Sequence, residues 1–278
     1  MLVQTLPGAP TEIERAVRAL HRDGVTALPG AFSVAWADAM REDIEAAFAE
    51  AITRTGGAVG RGPNRFYVEI HPQAFRGFVD LITHPWLVGV CRATLGPHYQ
   101  VVEVGFDIPF AGALDQPWHR DFPASQDLLR KRRLNSLAFN LTAVDTTPEM
   151  GPFEIAPGTH WEPGLDFENQ MFPAEREWPR YAALSQRKLP RRGDLSARSA
   201  LAIHRGTANF SHRPRPVLVL GVDAPGGGHA ELHDLQVTPE YYDALPPTAR
   251  RHLHCRVVDR LQPIVQKHQI EGLSAGDA

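Results

Sequence analysis

Up to residue 98 the apolar residues of this chain recur mostly at helical spacing, but from Tyr99 onward they gather into short alternating or continuous runs. No other feature constrains the fold as much. The runs are Tyr99 to Phe110, Asn135 to Val144, Phe153 to Ala156, Leu195 to His204 and Pro216 to Val222. Successive residues of an extended chain point to opposite faces, so runs of this kind predict β-strands. Short strands, long connections and 24 prolines together predict a mainly β protein, a double-sheet barrel or jelly roll with helices packed outside it. All-β folds of this type reach 278 residues as one unit. One domain spanning 1–278 is therefore expected. Its divisions are a mostly helical part at 1–98, a jelly-roll core at 99–222 carrying an insertion at 162–192, and a C-terminal extension at 223–278.

The helical part reads as three segments. Pro10 to His21 has Thr11 as its N-cap, Glu14 at capping-box spacing, and one apolar stripe of Ile13, Ala16, Val17 and Leu20, ended by Asp23-Gly24. Ser33 to about Ala51 repeats Ala35, Met40, Ile44, Ala47 and Phe48 beside the i,i+4 pair Arg41 and Glu45. A third helix is expected near Pro85 to Leu95. The Gly-rich stretch Thr55 to Asn64 has almost no apolar content and reads as a mobile loop, a candidate lid. The segment Glu162 to Arg192 is too long for a connector, and insertions of that size are usually functional covers or disordered.

Composition removes several classes of function. Hydrophobic residues make up 43% and charged residues 22%, and the net charge of -3 provides no field that favours nucleic acid or an anionic membrane. Two cysteines, Cys91 and Cys255, supply neither a disulfide framework nor a Cys-based zinc site, and a reducing cytoplasmic setting is expected. No uninterrupted apolar run is long enough to span a bilayer and no export signal is recognisable, so neither membrane insertion nor export is indicated. A small-molecule substrate becomes the better expectation, with oligomeric state left open.

The chemistry concentrates in Gln116-Pro117-Trp118-His119-Arg120-Asp121. In an extended segment residues two apart share a face, so His119 and Asp121 can converge on one ion. An imidazole and a carboxylate are two-thirds of the facial triad that binds non-haem Fe(II), though His-x-Asp alone arises often by chance. A third donor has to come from a distant strand end. The Leu195 to Ile203 run ends at His204, far along the chain from His119, and Arg215 follows at the head of Pro216 to Leu220. If the strands before and after Gly206 to Pro214 are antiparallel neighbours, Arg215 projects into the same barrel mouth as His204 and can grip a carboxylate in bidentate fashion.

With these residues the chain resembles the phytanoyl-CoA dioxygenase family over roughly Asp23 to Val222. The matching features, in the family's order, are Trp118 to Asp121, Thr147 to Phe153, Ile155 to His160, and Arg192-Gly193-Asp194 leading to His204; Asn209, Ser211 and Arg215 follow at family positions. The resemblance implies a double-stranded β-helix, a cupin-like jelly roll. It also implies Fe(II) held by His119, Asp121 and His204, 2-oxoglutarate chelated to the metal with its distal carboxylate on Arg215, and dioxygen as the remaining cosubstrate. The Pro157-Gly158-Thr159-His160 turn looks like the family's PGSH turn, which makes His160 structural. Where many relatives read His-Gly-Ser at the distal ligand, this chain reads His204-Arg205-Gly206, and Thr207 is only a weak substitute for the missing Ser. Related halogenases replace the carboxylate ligand with a small residue, so Asp121 favours hydroxylation, with specialised-metabolite tailoring as the implied setting. Desaturation, epimerisation or cyclisation at the same iron are alternatives, as is a cupin-like barrel that binds a ligand without redox turnover.

Thirteen histidines make chance constellations common. His229-x-Glu231-x-His233 would place three donors on one strand face, but it follows Gly226-Gly227-Gly228 and has no carboxylate-binding Arg in a comparable place. His252-Leu253-His254 lies in a Pro/Arg-rich segment, and His212 is too close to Arg215 for two-strand geometry. The Arg130 to Arg133 run reads as a solvated face in preference to an anion site, Arg61 and Arg65 as water-facing loop charges, and Trp118 as barrel packing.

Overall fold

Each long strand of this chain carries apolar side chains on one face and polar ones on the other, and the fold follows from how those faces are covered. The computed structural model describes residues 11–267, 270, 272 and 273. In chain order its first ten strands are β1 (Val25–Leu28), β2 (Val59–Gly60), β3 (Arg65–Glu69), β4 (Gln100–Pro109), β5 (Ser136–Thr142), β6 (Phe153–Ile155), β7 (Gln186–Arg187), β8 (Leu195–Ser199), β9 (His204–Gly206) and β10 (Val217–Asp223). A seven-stranded antiparallel sheet has the order β1-β8-β5-β10-β4-β3-β2, and a three-stranded sheet has the order β7-β6-β9. This is the expected jelly roll with flanking helices.

The larger sheet is amphipathic with a period of two. Leu137, Phe139 and Leu141 of β5, Leu218 and Leu220 of β10, and Val104 and Phe106 of β4 are fully or almost fully buried on its outer face. They share one core with Leu20 of α1 (Glu12–Asp23), Met40 and Ile44 of α2 (Val34–Ala51), Leu81 of α3 (Phe78–Thr83), and Leu87 and Val90 of α4 (Pro85–Thr94). Each such side chain contributes about 1.5–3 kcal/mol of burial. The alternate residues, among them Asn140, Glu103, Asp107, Tyr67 and Arg198, face inward and line a cavity of about 430 Å³. The helices therefore take the apolar face, and the polar face is left for chemistry.

Several expectations hold at their ends. Thr11 and Glu14 form both bonds of a capping box on α1, Gly24 ends it in the left-handed conformation, and Ser33 caps α2. Pro10 lies outside the described residues. Others need correction. The expected single strand from Leu195 to His204 is two: β8 stops at Ser199, residues 200–203 turn, and β9 starts at His204 in the other sheet. The core also begins before Tyr99, because β1, β2 and β3 complete the large sheet. Inside the expected loop 55–64, Val59 pairs with Tyr67, so part of this segment is an edge strand. The insertion at 162–192 contains α6 (Trp178–Leu184), which follows α5 (Gln126–Lys131), and contributes β7 to the small sheet.

The C-terminal extension also belongs to the fold. It contains a parallel pair, β11 (Gln236–Val237) and β12 (Arg256–Val257), with α7 (Pro239–Ala244) and α8 (Pro247–His252) between them. Beyond it, the Gln266 N–H donates to Gly56 O, its Oε1 accepts from Glu69 N, and Ile270 and Leu273 reach the cavity wall. No helix among the described residues is long and apolar enough to cross a membrane.

The Pro157 to His160 turn carries structure, as expected. Gly158 takes φ +82°, Thr159 Oγ1 donates to Ala156 O and accepts from Ile203 N, and this pins the residue before His204. His160 is fully buried, donates Nε2–H to His21 O, and packs so tightly on Gly24 that a Cβ there would lie 2.6 Å from its Nδ1. Burial pushes the His160 imidazole down to about 4. A folded value below the unfolded one favours the neutral ring. Its stabilisation is therefore complete above about pH 6.5 and is lost as pH falls towards 4, a loss on the order of 3 kcal/mol. Thermal unfolding between pH 7 and 4 checks this: His160→Gln should flatten the decline relative to the wild-type chain.

Candidate metal centre

The three expected ligands are brought together by backbone pairing. Residues 116–121 run antiparallel to β9: His119 N and His204 N each donate to the other's carbonyl at 2.9 and 2.8 Å, and Gln116 N donates to Gly206 O. This places the His119 and His204 rings 4.3 Å apart, and Asp121, two residues along, meets them from the same side. The ligand atoms of His119, Asp121 and His204 all lie within 4.8 Å of one another, and Asp121 Oδ1 is 3.4 Å from His204 Nε2. Among the described residues no other group of three His, Cys, Asp or Glu side chains converges in this way.

Hydrogen bonding fixes which nitrogen each ring offers. His119 Nδ1 donates to Pro117 O at 2.8 Å and His204 Nδ1 donates to Ala202 O at 2.9 Å, so each Nε2 presents a lone pair inward. Burial pushes both imidazoles down, His119 well below its ordinary value with help from His204, and His204 with help from Arg198. Burial alone would raise Asp121, but Arg198 and His204 hold it well below the usual carboxylate range. Two neutral imidazoles and one carboxylate form a donor set that suits a divalent non-haem iron.

Arg215 is in the same cavity, although by a different route from the one expected. β9 and β10 are not neighbours: β9 pairs with β6 in the small sheet, while β10 lies between β5 and β4 in the large one. The two residues face each other because the two sheets do. Arg215 is 4% exposed, donates Nε–H to Met150 O, and has no carboxylate within ion-pair distance among the described residues. Burial and neighbouring Arg65 lower it only to about 10, so it remains a cation at neutral pH.

Arg65 corrects a second expectation. It does not face water: it is 2% exposed, pairs with Asp107 at 3.2 Å and donates to Thr207 O at 3.0 Å. Its guanidinium fills the place beside residue 206. A Cβ on Gly206 would lie 1.9 Å from Arg65 Nη1, so a Ser here would require the guanidinium to move. Thr207 cannot replace that Ser, since its hydroxyl donates to Pro152 O in a buried bond. Arg61 is also buried, and its guanidinium lies over the Tyr67 ring. Neither arginine was legible from the Gly-rich approach to β3, but the Arg65-Phe66-Tyr67-Val68-Glu69 alternation marks an inward polar face.

The rival clusters have other partners. Residues 230–232 form a 3-10 turn, so His229, Glu231 and His233 share no strand face. His229 pairs with Asp223 and stacks on Phe122, while His233 pairs with Glu69. His252 stacks on the Tyr99 ring. The Arg130 to Arg133 run closes the short exposed helix α5, where Arg130 and Lys131 pair with Asp127. Trp118 packs with Tyr181, Ala156 and Ile203 beneath the guanidinium of Arg205.

Known proteins share this fold. Among solved structures, the fold is similar to the epimerase SnoN in complex with Fe3+, alpha ketoglutarate and nogalamycin RO, with TM-score 0.61, 20% identity, and 76% of this chain matched to 83% of that one. EctD from S. alaskensis with 2-oxoglutarate and 5-hydroxyectoine aligns with TM-score 0.62 and 19% identity over 81% of this chain and 80% of that one. The carbocyclase SnoK from nogalamycin biosynthesis aligns with TM-score 0.59 and 22% identity over 78% and 87%. The phytanoyl-CoA dioxygenase (PhyH) family model matches residues 20–217, which include the three candidate ligands and Arg215. The chain belongs to the phytanoyl-CoA dioxygenase family, and so to the non-haem iron, 2-oxoglutarate-dependent enzymes.

Proposed function

We propose that this chain is an Fe(II)- and 2-oxoglutarate-dependent oxygenase that hydroxylates an unactivated C–H bond of a small molecule, with succinate and CO2 as co-products. The observation that carries the proposal is one cavity holding both the convergent His119, Asp121 and His204 donors and a buried arginine, Arg215, without an acidic partner among the described residues. His119 Nε2, Asp121 Oδ1 and His204 Nε2 would hold the iron and leave three positions open. Arg215, with Arg65 beside it, would hold the distal carboxylate of 2-oxoglutarate by charge-assisted bonds. When bound, Fe(II) and 2-oxoglutarate would supply the electrons that activate dioxygen, one oxygen atom ending in succinate and the other in the hydroxylated product. The protein would bind and orient the substrate and exclude water, with apolar Phe153, Ile270 and Leu273 and polar Asn140, Ser196 and Lys188 among the residues that line the cavity.

Retention of Asp121 supports hydroxylation over halogenation, because no position next to the histidines is vacated for a halide. Epimerisation and ring closure, the reactions of SnoN and SnoK, need the same donors and are the second reading. Product analysis with an identified substrate separates the two. A tailoring role in specialised metabolism fits these likenesses, and we place the enzyme in the cytoplasm, where its two free thiols stay reduced.

Fe(II), 2-oxoglutarate and ascorbate should give slow succinate release even without substrate, measured by chromatography; absence of both succinate and a visible charge-transfer band under anaerobic assembly would exclude the proposal. Asp121→Ala should reduce succinate release to background. Arg215→Ala should raise the 2-oxoglutarate concentration for half-maximal rate about 10–100-fold, the range expected for losing a charged bond of about 1.5–3 kcal/mol. Gly206→Ser should displace Arg65, lower stability by about 1–3 kcal/mol in thermal unfolding, and raise the 2-oxoglutarate requirement as well.

A further inference from the structure

The Asp121 carboxylate is divided between two neighbours. Oδ1 faces His204 Nε2 at 3.4 Å, while Oδ2 accepts from Arg198 Nη1 at 2.5 Å, and Arg198 Nη2 reaches Oδ1 at 3.3 Å. Arg198 sits on β8, opposite Val25 of β1 and Ala138 of β5, in a strand otherwise made of Leu195, Ser196, Ala197 and Ser199. It is 8% exposed, and burying a guanidinium in a sheet interior is costly unless an acid repays it. Its neighbour on β5 in the sheet register is the small residue Ala138. The guanidinium carbon is 5.5 Å from the Phe153 ring, which is in turn 5.0 Å from the His204 ring, so Arg198, Phe153, His204 and Asp121 form a closed circuit of contacts.

We propose that Arg198 is a positioning residue that makes Asp121 a one-oxygen ligand, holding Oδ2 away from the metal while Oδ1 is presented to it. The inference rests on the metal reading above. A carboxylate can bind a cation through one oxygen or two, and the choice changes the number of positions left. An aspartate free to turn would offer both oxygens, cut the open positions from three to two, and compete for one of them with 2-oxoglutarate, whose far carboxylate is tied to Arg215. Arg198 prevents the turn by gripping the carboxylate with a planar fork, Nη1 close on Oδ2 and Nη2 farther off on Oδ1, which lysine cannot reproduce in full. Partners of this kind fix ligand orientation, and their loss typically costs 10–100-fold in metal affinity. Arg198 itself touches neither the metal position nor the expected carboxylate anchor at Arg215.

The test uses Mn(II), which is redox-stable and visible by electron paramagnetic resonance. Full-length metal-free protein is titrated with Mn(II), and the Mn(II)-loaded protein is then titrated calorimetrically with 2-oxoglutarate. Failure of the wild-type chain to bind one Mn(II) would overturn the metal reading itself. If wild type binds, Arg198→Gln should weaken Mn(II) binding 10–100-fold. At saturating Mn(II), its 2-oxoglutarate affinity should fall as well, and Arg198→Lys should recover part of both losses. Mn(II) and 2-oxoglutarate affinities within twofold of wild type in a folded Arg198→Gln protein would overturn the proposal, even if its melting temperature dropped. Should Arg198→Gln fail to fold, Phe153→Leu decides instead: it keeps the guanidinium but removes the ring beside it. A two- to fivefold loss of Mn(II) affinity would support the proposal, and no change would overturn it.

Discussion

The site depends on one short antiparallel pairing, in which His119 and His204 exchange backbone hydrogen bonds across the lip of the small sheet. A side chain on a flexible loop could not bring donors so distant in sequence to within 4.8 Å and keep them there. The ladder does so without further cost, because its N–H and C=O groups must be paired in any case once buried. The same pairing sets Asp121 two residues along on the same side. Carbonyls of the two segments, Pro117 O and Ala202 O, take up the Nδ1 protons and leave both Nε2 lone pairs facing one point.

Around that pairing the fold separates two tasks. The large sheet puts its apolar face under α1 to α4, and stability is generated there, in a core that shares no residue with the ligand set. Its other face carries charge and hydroxyl groups into the cavity, where they are balanced locally: Arg65 against Asp107, Arg198 against Asp121, Tyr67 against Glu103. Arg215 has no such acid beside it among the described residues, and a buried cation without an acidic partner suits a carboxylate ligand. The departure at residue 206 follows the same logic. A side chain at 206 would meet the Arg65 guanidinium where it now sits, so the glycine leaves room for that arginine in the cavity wall.

The parts of this molecule visible in its residues are those governed by neighbours a few positions away. The Thr11 and Glu14 capping box, the stripe of α1, the alternation of β4, β5 and β10, and the shared face of His119 and Asp121 all follow from helix and strand periods. Family resemblance then extended that reading to His204 and Arg215, which no local period connects. Position in three dimensions was decided elsewhere. Leu195 to His204 reads as one strand, but residues 200–203 turn, because the chain has to cross from one sheet to the other for His204 to meet His119. Arg65 looks like a loop charge until β3 pairs with β4 and turns it inward, and Arg61, whose N–H donates to Arg65 O, is buried with it. Arg198 looks like a lone charge in a small-residue strand until Asp121, from a distant part of the chain, closes on it. Spacing along a chain determines which side chains share a face; which faces meet depends on how two sheets stack, and that is set by the whole core at once.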